Sequence, residues 1–381
     1  MTKIAFVHNF ASHYTARTFE LLARCFDVRF YFFSGGEDWY WLKEHGVKVG
    51  DFAYEYMPGF HLGRTRVTPT LPLKLMRADF DVCVKCINGR FALPITYLVA
   101  RIKRRPFILW TGIWARLQTP FHRLFFPLTR YFYRHADAVV VYGAHVKRYL
   151  ISEGVPDERV FVAPHAVDND IYASFVSDEE KAVFRRQLAI DPGTRIVLYL
   201  GRLTPVKGLP YLVKAFSSLA GKDVVLVLAG EGEERRPLEV LARECGVADR
   251  VRFPGYVAQQ ETIRYYATSW VYVLPSITTA RFKEPWGLVV NEAFNQGSPV
   301  IATDAVGAAA GGLVENDVNG FIVPEGNTQA LAAALQRILD EPGLRERMGR
   351  KAREKIATWT QEGMVEAFGQ AIDYVTRNRD R

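Results

Sequence analysis

LYLGRLTPVKGL, residues 198–209, contains the pattern that decides the fold. A short apolar stretch with the character of a strand ends at Gly201, and Arg202 follows it directly. Pro205 marks a turn, after which Lys207 opens a predicted helix. Two cations at the tip of a strand, beside the N-terminal amides of a helix, favour a diphosphate site. A solvated basic loop is the alternative interpretation of these residues taken alone.

The same alternation of strands and helices extends along the whole chain. Short apolar segments bounded by turn residues predict strands at 3–8, 28–33, 81–86, 107–110, 138–142, 160–163, 195–200, 224–229, 251–253, 271–274, 300–302 and 321–323. Segments of helical length predict helices at 14–25, 121–135, 145–152, 206–220, 233–245, 259–268, 285–296, 328–339, 342–356 and 360–377. This alternation indicates parallel sheets that are covered by helices on both faces.

The alternation breaks around residues 168–177 and then restarts, which predicts two domains. A chain of 381 residues is also too long for one ordinary core. We therefore expect an α/β protein of two Rossmann-like, doubly wound parallel-sheet domains, 1–175 and 176–359, that face each other across a cleft. A C-terminal helix at about 360–381 is expected to pack back on the first domain. Ligands of such domains bind at the carboxyl ends of the strands.

A second motif, EPWGLVVNEA at residues 284–293, carries two glutamates. Pro285 suits the first turn of a helix, so the sequence predicts Glu284 at the helix start and Glu292 two turns later. Eight helical residues separate these carboxylates by about 12 Å on roughly one face. Two acceptors at this spacing can hold hydroxyl groups at opposite ends of an extended ligand. Two exposed helix glutamates are the alternative.

Positive charge is concentrated in the first half of the chain. Residues 1–175 contain 23 Lys and Arg against 15 Asp and Glu, whereas residues 176–381 contain 26 of each, so the first half carries the whole formal net charge of +8. Between Asp81 and Asp137 there are ten basic residues and no acidic ones. Such an uneven distribution concerns binding partners rather than the fold.

Several other features point to an ordinary soluble protein without a metal. The sequence has no apolar run near the ~20 residues that span a bilayer, and its N-terminus reads as a strand rather than a signal peptide, so we expect a cytoplasmic protein. Cys83 and Cys86 spell C-x-x-C inside an apolar stretch, where packing is the expected role. The D-x-D sequences at 79–81 and 168–170 lack the surroundings of a metal site.

Taken together, GRLTPVKGL, AGEGEE (229–234), VRFPGYV (251–257) and EPWGLVVNEA resemble glycosyltransferase family 4, a retaining family with the GT-B fold. PVIATDAVG (299–307) and NGFIVPEGN (319–327) fit the same pattern. The resemblance covers essentially the whole second half, where several motifs occur in order at family spacing. In the first half it rests on the strand–helix rhythm and on PHAVDNDIY at 164–172.

The resemblance implies roles for individual residues. Arg202 and Lys207 would bind the donor diphosphate and stabilise the leaving nucleotide, and Glu284 would bind sugar hydroxyls, so these three are the catalytic candidates. Glu292 would take the ribose hydroxyls. The remaining donor-binding candidates are backbone positions at the sugar and phosphate (Trp286, Gly287, Leu288), at the donor (Gly230) and at the base (Tyr256, Val257).

The first domain departs from the family pattern in two places. HNFASH at residues 8–13 replaces the glycine-rich turn after the first strand, and the segment LWTG at 109–112 lacks the histidine often found there. Both places normally touch the acceptor. His13 is the candidate acceptor contact, with a structural or exposed role as the alternative.

The resemblance implies transfer of a hexose from a UDP- or GDP-sugar, with retention, to a lipid-linked or cell-envelope glycan. No cofactor and no metal are expected, because the nucleotide sugar is itself the donor substrate. The alternatives are a nucleotide-sugar epimerase or hydrolase of the same fold, and a basic nucleic-acid-binding protein. The Glu284 and Glu292 pair argues against the first alternative.

Residues 101–135 combine eight Lys and Arg with several Trp, Phe and Tyr residues. This composition suits the surface of an anionic membrane, where each basic residue contributes about 1 kcal/mol. The same composition could bind nucleic acid, but no recognised nucleic-acid motif accompanies it. We therefore expect peripheral attachment to the inner face of a membrane. Solvated cations around a core of aromatic residues are the alternative.

Overall fold

The computed structural model describes residues 1–36, 50–219 and 223–378. Its contacts divide the chain into two compact units. The first comprises Met1–Arg116, Pro120–Ala166 and Gln361–Arg381, and the second comprises Leu117–Thr119 and Val167–Thr360. The division therefore falls at Ala166 rather than at the expected residue 175. Ala220, at the end of one predicted helix, and residues 379–381 of the predicted C-terminal helix lie outside the described residues.

The first unit is built from a seven-stranded sheet, a small hairpin and helices. Its strands are β1 (Lys3–His8), β2 (Asp27–Phe32), β3 (Tyr54–Tyr56), β4 (Phe60–Leu62), β5 (Thr65–Val67), β6 (Val82–Cys86), β7 (Phe107–Thr111), β8 (Ala138–Val141) and β9 (Val160–Val162). Its helices before the crossing to the second unit are α1 (Ala16–Cys25), α2 (Thr70–Arg77), α3 (Ala92–Ile102), α4 (Pro120–His135) and α5 (Ala144–Ser152).

The second unit is built from a six-stranded sheet and helices. Its strands are β10 (Arg195–Leu200), β11 (Val224–Ala229), β12 (Val251–Gly255), β13 (Val271–Leu274), β14 (Val300–Thr303) and β15 (Gly320–Val323). Its helices are α6 (Asn169–Tyr172), α7 (Asp178–Gln187), α8 (Leu209–Ser217), α9 (Arg235–Glu244), α10 (Thr262–Thr268), α11 (Val289–Asn295), α12 (Gly307–Ala310), α13 (Thr328–Asp340) and α14 (Leu344–Ala357).

Both main sheets are parallel, which confirms the predicted fold class. The strand order is β3-β2-β1-β6-β7-β8-β9 in the first unit and β12-β11-β10-β13-β14-β15 in the second. Every residue of the central strands β6, β7, β11 and β13 is buried. Helices cover both faces of such sheets, so their strands are continuous apolar runs rather than alternating ones. This is why each of the twelve predicted strands is present, within two residues at either end.

Each sheet reverses its strand order at one point, and that point fixes where a ligand can bind. In the second unit β10 pairs with β11 on one side and with β13 on the other, and in the first unit β1 pairs with β2 and β6 in the same way. The chain leaves the two strands at a reversal point in opposite directions, which opens a crevice beyond their carboxyl ends. The loops after β10 and β13 therefore border the crevice of the second unit.

The C-terminal helix α15 (Gln361–Arg377) completes the core of the first unit. The Phe368 ring lies 5.9 Å from the Phe6 ring and 5.4 Å from the Trp110 ring, between centroids. Phe6 belongs to β1 and Trp110 to β7, so the last helix of the chain packs on the middle of the first sheet.

Three short strands and five helices of the described residues were not predicted from the sequence. The strands β3, β4 and β5 contain three residues each, and β4 and β5 form an exposed or half-buried antiparallel hairpin. Such short segments bury little apolar surface and leave no clear periodicity. The unpredicted helices are α2, α3, α6, α7 and α12. In the part of the chain that the structure describes, no helix combines the length and hydropathy needed to cross a bilayer.

Candidate functional site

The loops after β10 and β11 pack against each other through their backbones. The Leu203 amide donates to the Glu231 carbonyl at 2.9 Å, and the Gly230 amide donates at 2.8 Å to the carbonyl of Gly255, the last residue of the neighbouring strand β12. Gly230 has a φ of +135°, and a Cβ at this position would lie only 1.9 Å from the Gly201 carbonyl oxygen. Gly230 was predicted to let the backbone approach a donor, and its observed close neighbour is the backbone of the cationic loop itself.

Lys207 and Glu284 form an ion pair at the reversal point of the second sheet. The Lys207 ammonium donates to Glu284 Oε2, and the two side chains are only 12% and 9% exposed. Lys207 follows β10 in the sequence and Glu284 follows β13, so the fold joins residues that lie 77 positions apart. The Ser276 hydroxyl, which is buried, donates to the same Oε2 at 3.1 Å. The carboxylate is thus fixed by a cation and a neutral donor.

The predicted placement of Glu284 on a helix is wrong. The helix α11 begins at Val289, whereas Glu284 forms an isolated parallel bridge with Val306. Gly287 explains the difference, because its φ of +92° belongs to the left-handed region and interrupts a helical start after Pro285. Glu284 therefore sits on extended backbone, and the spacing of about 12 Å along one helix does not apply to it.

Glu292 lies on α11 as predicted and is almost completely buried. The Tyr266 hydroxyl donates to Glu292 Oε2 at 2.8 Å. Trp286, on the segment before the helix, donates from its indole nitrogen to Asn291 at 2.8 Å and stacks on Trp359 with ring centroids 5.6 Å apart. The segment that contains Trp286, Gly287 and Leu288 is therefore held firmly on the body of the second unit.

Arg202 occupies the first turn after β10. Its carbonyl accepts a hydrogen bond of 2.7 Å from the hydroxyl of Tyr199, a buried residue of β10. Tyr256 and Val257 follow the carboxyl end of β12, and the Tyr256 side chain is exposed. All the predicted donor-site residues thus lie at the carboxyl edge of one sheet, after β10, β11, β12 or β13.

His13 lies in the turn that precedes α1, where its ring is 3.9 Å from the Tyr14 ring, between centroids. Other histidines of the first unit are more deeply buried. Burial and the nearby Lys85 ammonium lower the pKa of His8 to about 3, and burial lowers the pKa of His165 to about 3. Both imidazoles therefore stay neutral at ordinary pH.

Lys85, one of the basic residues of the first half, is buried. Its ammonium donates to the Cys86 carbonyl at 2.7 Å and to the Asn88 carbonyl at 2.6 Å, and its side chain is fully buried. It therefore holds the turn after β6 rather than facing a partner. Its position inside the apolar stretch DVCVKCI was the available signal. Cys83 and Cys86 are buried in the same strand, as the packing interpretation predicted.

The two D-x-D sequences have structural roles. Asp168 caps α6 by accepting from the Asp170 amide at 3.1 Å, and Asn169 donates to the carbonyls of Ile356 and Trp359. Asp79 pairs with Lys3 at 2.6 Å on the surface. Within residues 1–36, 50–219 and 223–378, no three His, Cys, Asp or Glu side chains are grouped as metal ligands.

The basic segment of the first unit combines buried and exposed parts. Trp110, Phe132 and Tyr133 are core residues, and three arginines (Arg116, Arg130, Arg134) bind the side chain or carbonyl of Glu153. Exposed apolar residues nevertheless lie along α3 and α4 at helical spacing. With two exposed arginines they form what we call the basic apolar face: Leu98, Ile102, Arg104, Arg123, Leu124, Leu128 and Tyr131.

Comparisons with known proteins match both halves of the chain. A family model for glycosyl transferases group 1 matches residues 180–355, and a model for glycosyltransferase family 4 matches residues 6–171. The alpha-D-kanosaminyltransferase of Streptomyces kanamyceticus is 30% identical over 278 residues, which cover 70% of each protein. The lipopolysaccharide core biosynthesis glycosyltransferase LpsE of Rhizobium meliloti is 32% identical over 50% of this chain and 53% of its own length. Several curated relatives are matched over only about half of their length.

A solved structure shares the fold over nearly the whole chain. HepE of Anabaena in complex with UDP-glucose superposes with a TM-score of 0.76 at 21% identity, covering 99% of this chain and all of that one. The two-sheet architecture is therefore the GT-B fold.

Gly230→Ala should destabilise the second unit, because its Cβ would meet the Gly201 carbonyl oxygen at 1.9 Å. We expect a loss of about 2 kcal/mol or more, which lowers the thermal unfolding midpoint by about 4–8 °C. The control is Gly193→Ala, whose Cβ would have no neighbour within 4 Å. Equal midpoints for the two variants in calorimetry would contradict the proposed packing of the two loops.

Proposed function

The chain belongs to glycosyltransferase family 4, and we propose that it transfers a hexose from a UDP- or GDP-sugar to an acceptor with retention of configuration. One observation carries the proposal. The buried Lys207–Glu284 pair stands at the reversal point of the second sheet, between the strand ends where α/β folds bind ligands. A cation and a carboxylate at one point suit a ligand that has a diphosphate beside sugar hydroxyls.

In this proposal the donor diphosphate binds Arg202 and Lys207. The bond between the anomeric carbon and the phosphate oxygen breaks, and the acceptor oxygen forms the new bond on the same face of the sugar. The acceptor's proton passes to the departing phosphate, so the step needs no protein nucleophile. The cations act where negative charge develops, so they stabilise the transition state more than the bound substrate. Only this difference in stabilisation lowers the barrier of the chemical step.

The ion pair also suggests how the site changes when the donor binds. Without a donor, Lys207 and Glu284 neutralise each other in a poorly solvated position. A diphosphate supplies a stronger anionic partner for Lys207, which leaves the Glu284 oxygens to accept from sugar hydroxyls. Ser276 continues to hold Oε2 during this exchange, so the carboxylate keeps its orientation.

The donor can be identified by thermal shift with UDP-, GDP-, dTDP- and ADP-sugars. A ligand at 100 times its dissociation constant stabilises the folded state by about 2.7 kcal/mol, which is readily measured. UDP-sugars are the first choice, since the structurally similar HepE was solved with UDP-glucose. A panel without any stabilising nucleotide sugar would reject the proposed function.

Arg202→Ala and Lys207→Ala should each reduce release of the nucleoside diphosphate by at least about 100-fold, because each cation is a charge-assisted donor to the leaving group. Turnover is measured with the donor that the thermal-shift panel identifies. The matched control is Lys214→Ala, at an exposed position of α8 in the same unit. Near-normal turnover in both site variants would reject this loop as the diphosphate site.

Activity should survive treatment with EDTA, because Arg202 and Lys207 bring the positive charge that a divalent ion would otherwise supply. The measurement compares turnover in EDTA with turnover in added Mg²⁺ or Mn²⁺. Restoration by the metal after complete loss in EDTA would contradict a metal-independent reaction.

We further propose that the acceptor is lipid-linked or belongs to a cell-envelope glycan, and that the basic apolar face attaches the enzyme to the inner face of an anionic membrane. Leu124 and Leu128 are 73% and 45% exposed, and Arg123 stands beside them on α4. Apolar residues next to cations bind an anionic lipid surface by burial and by charge together. Lys103 is not part of this face, because its ammonium donates to carbonyls at the end of α2.

The membrane proposal predicts the behaviour of a variant with Arg104→Gln, Arg123→Gln, Leu124→Ser and Leu128→Ser. Its binding to anionic liposomes at low salt should fall by at least about tenfold, from the loss of two charges and two apolar contacts. High salt should weaken the wild type in part, since it screens only the charges. Co-sedimentation across a salt series measures both effects.

The matched control changes two exposed arginines and two exposed valines of the second unit: Arg243→Gln, Arg347→Gln, Val240→Ser and Val318→Ser. It should sediment like the wild type, and neither variant should lose nucleotide-sugar binding. Equal sedimentation of all three proteins would show that the basic apolar face is only solvated surface.

A further inference from the structure

Three buried tyrosines lie beneath the donor-site residues, and each hydroxyl holds a different part of the site. Tyr199, Tyr266 and Tyr272 are all 0% exposed. Tyr266 donates to Glu292 Oε2 at 2.8 Å, Tyr199 to the Arg202 carbonyl at 2.7 Å, and Tyr272 to the Leu200 carbonyl at 3.1 Å. The rings of Tyr266 and Tyr272 are 5.5 Å apart, between centroids. Each hydroxyl thus holds one part of the proposed site from within the core.

The contact between Tyr266 and Glu292 orients a buried carboxylate. Glu292 is 1% exposed, so water is largely excluded from replacing a lost donor. A hydrogen bond to a charged group is stronger than one between neutral groups, and it fixes the plane of the carboxylate. With Oε2 held from the protein side, the direction in which Oε1 accepts a ligand hydroxyl is also fixed.

The contacts of Tyr199 and Tyr272 fix the cationic loop. The carbonyls of Leu200 and Arg202 flank Gly201, the first residue after β10. Burial raises the pKa of Tyr199 and Tyr272 well above the ordinary value, so both hydroxyls remain protonated donors. Two carbonyls held from below leave the loop little freedom to change its backbone orientation. The Arg202 side chain therefore starts from a fixed backbone position.

We propose that the three hydroxyls are positioning groups for separate ends of the donor: Tyr266 for the ribose, through Glu292, and Tyr199 and Tyr272 for the diphosphate, through the loop of Arg202. This inference rests on the proposed function. A positioning role can be distinguished from a purely structural one. If the hydroxyls only stabilised the core, their removal would change the affinity for all ligands equally.

The test compares Tyr266→Phe with Tyr199→Phe by calorimetric titration of UDP, 2′-deoxy-UDP and UMP, or the guanine counterparts if GDP-sugars bind. Tyr266→Phe should weaken the binding of UDP by at least about fivefold and the binding of 2′-deoxy-UDP by less. The ratio of UDP to 2′-deoxy-UDP affinity, which we call the discrimination for the ribose, should therefore fall. Its ratio of UDP to UMP affinity should stay unchanged. Tyr199→Phe should show the reverse: a smaller UDP-to-UMP ratio and unchanged discrimination for the ribose.

Two controls separate positioning from stability. Tyr265→Phe removes a hydroxyl from the neighbouring residue of α10, whose ring packs on Phe184 with centroids 4.6 Å apart, and should leave both ratios unchanged. In a Glu292→Ala background, Tyr266→Phe should no longer affect discrimination for the ribose, since the contact acts through Glu292.

Uniform weakening of all three ligands, or unchanged ratios in both variants, would overturn the inference while leaving the proposed function intact. A persistent effect of Tyr266→Phe in the Glu292→Ala background would overturn the assigned route through Glu292. Failure of the wild type to bind any of the probes would instead count against the proposed function. Because Phe keeps the shape of Tyr, and the two variants probe different contacts, one variant that folds poorly leaves the other decisive.

Discussion

The buried ion pair of Lys207 and Glu284 is the contact on which the rest of the proposed donor site depends. A charge that leaves water without a partner costs several kcal/mol, so neither side chain could occupy its position alone. The pair joins the loop after β10 to the loop after β13. The Ser276 hydroxyl then holds the carboxylate, and the backbone bridge between Glu284 and Val306 holds the chain that carries it.

The order of strands explains why motifs far apart in sequence converge on one site. β10 is the first strand of its sheet in the chain, and it lies between β11 and β13. The loops after β10, β11 and β13 therefore lie together at the carboxyl edge of the sheet. They contain the cationic loop, Gly230 and Glu284. The tyrosines beneath that edge come from β10, α10 and β13, so the core that stabilises the sheet also supports the proposed site.

The sequence was sufficient for twelve of the fifteen described strands and for the edge at which the candidate site lies, because buried parallel strands leave continuous apolar runs. The sequence did not predict the local structure correctly where a single residue overrides the pattern of its neighbours. Gly287 interrupts the helix that Pro285 suggests, and this moved Glu284 onto extended backbone. The roles of Ser276, Tyr266 and Lys85 also escaped prediction. Each depends on a contact or a burial that the neighbouring residues in sequence do not reveal.

The place of α15 in the first unit has a consequence for the order in which the protein is made. Domains generally fold as units during synthesis, with the N-terminal one first. Here Phe368, which packs on Phe6 and Trp110, is translated after almost all of the chain. The second unit, continuous from Val167 to Thr360 apart from Leu117–Thr119, is fully translated before α15 exists. The ribosome therefore releases the last helix of the first unit only after it has supplied every residue of the second.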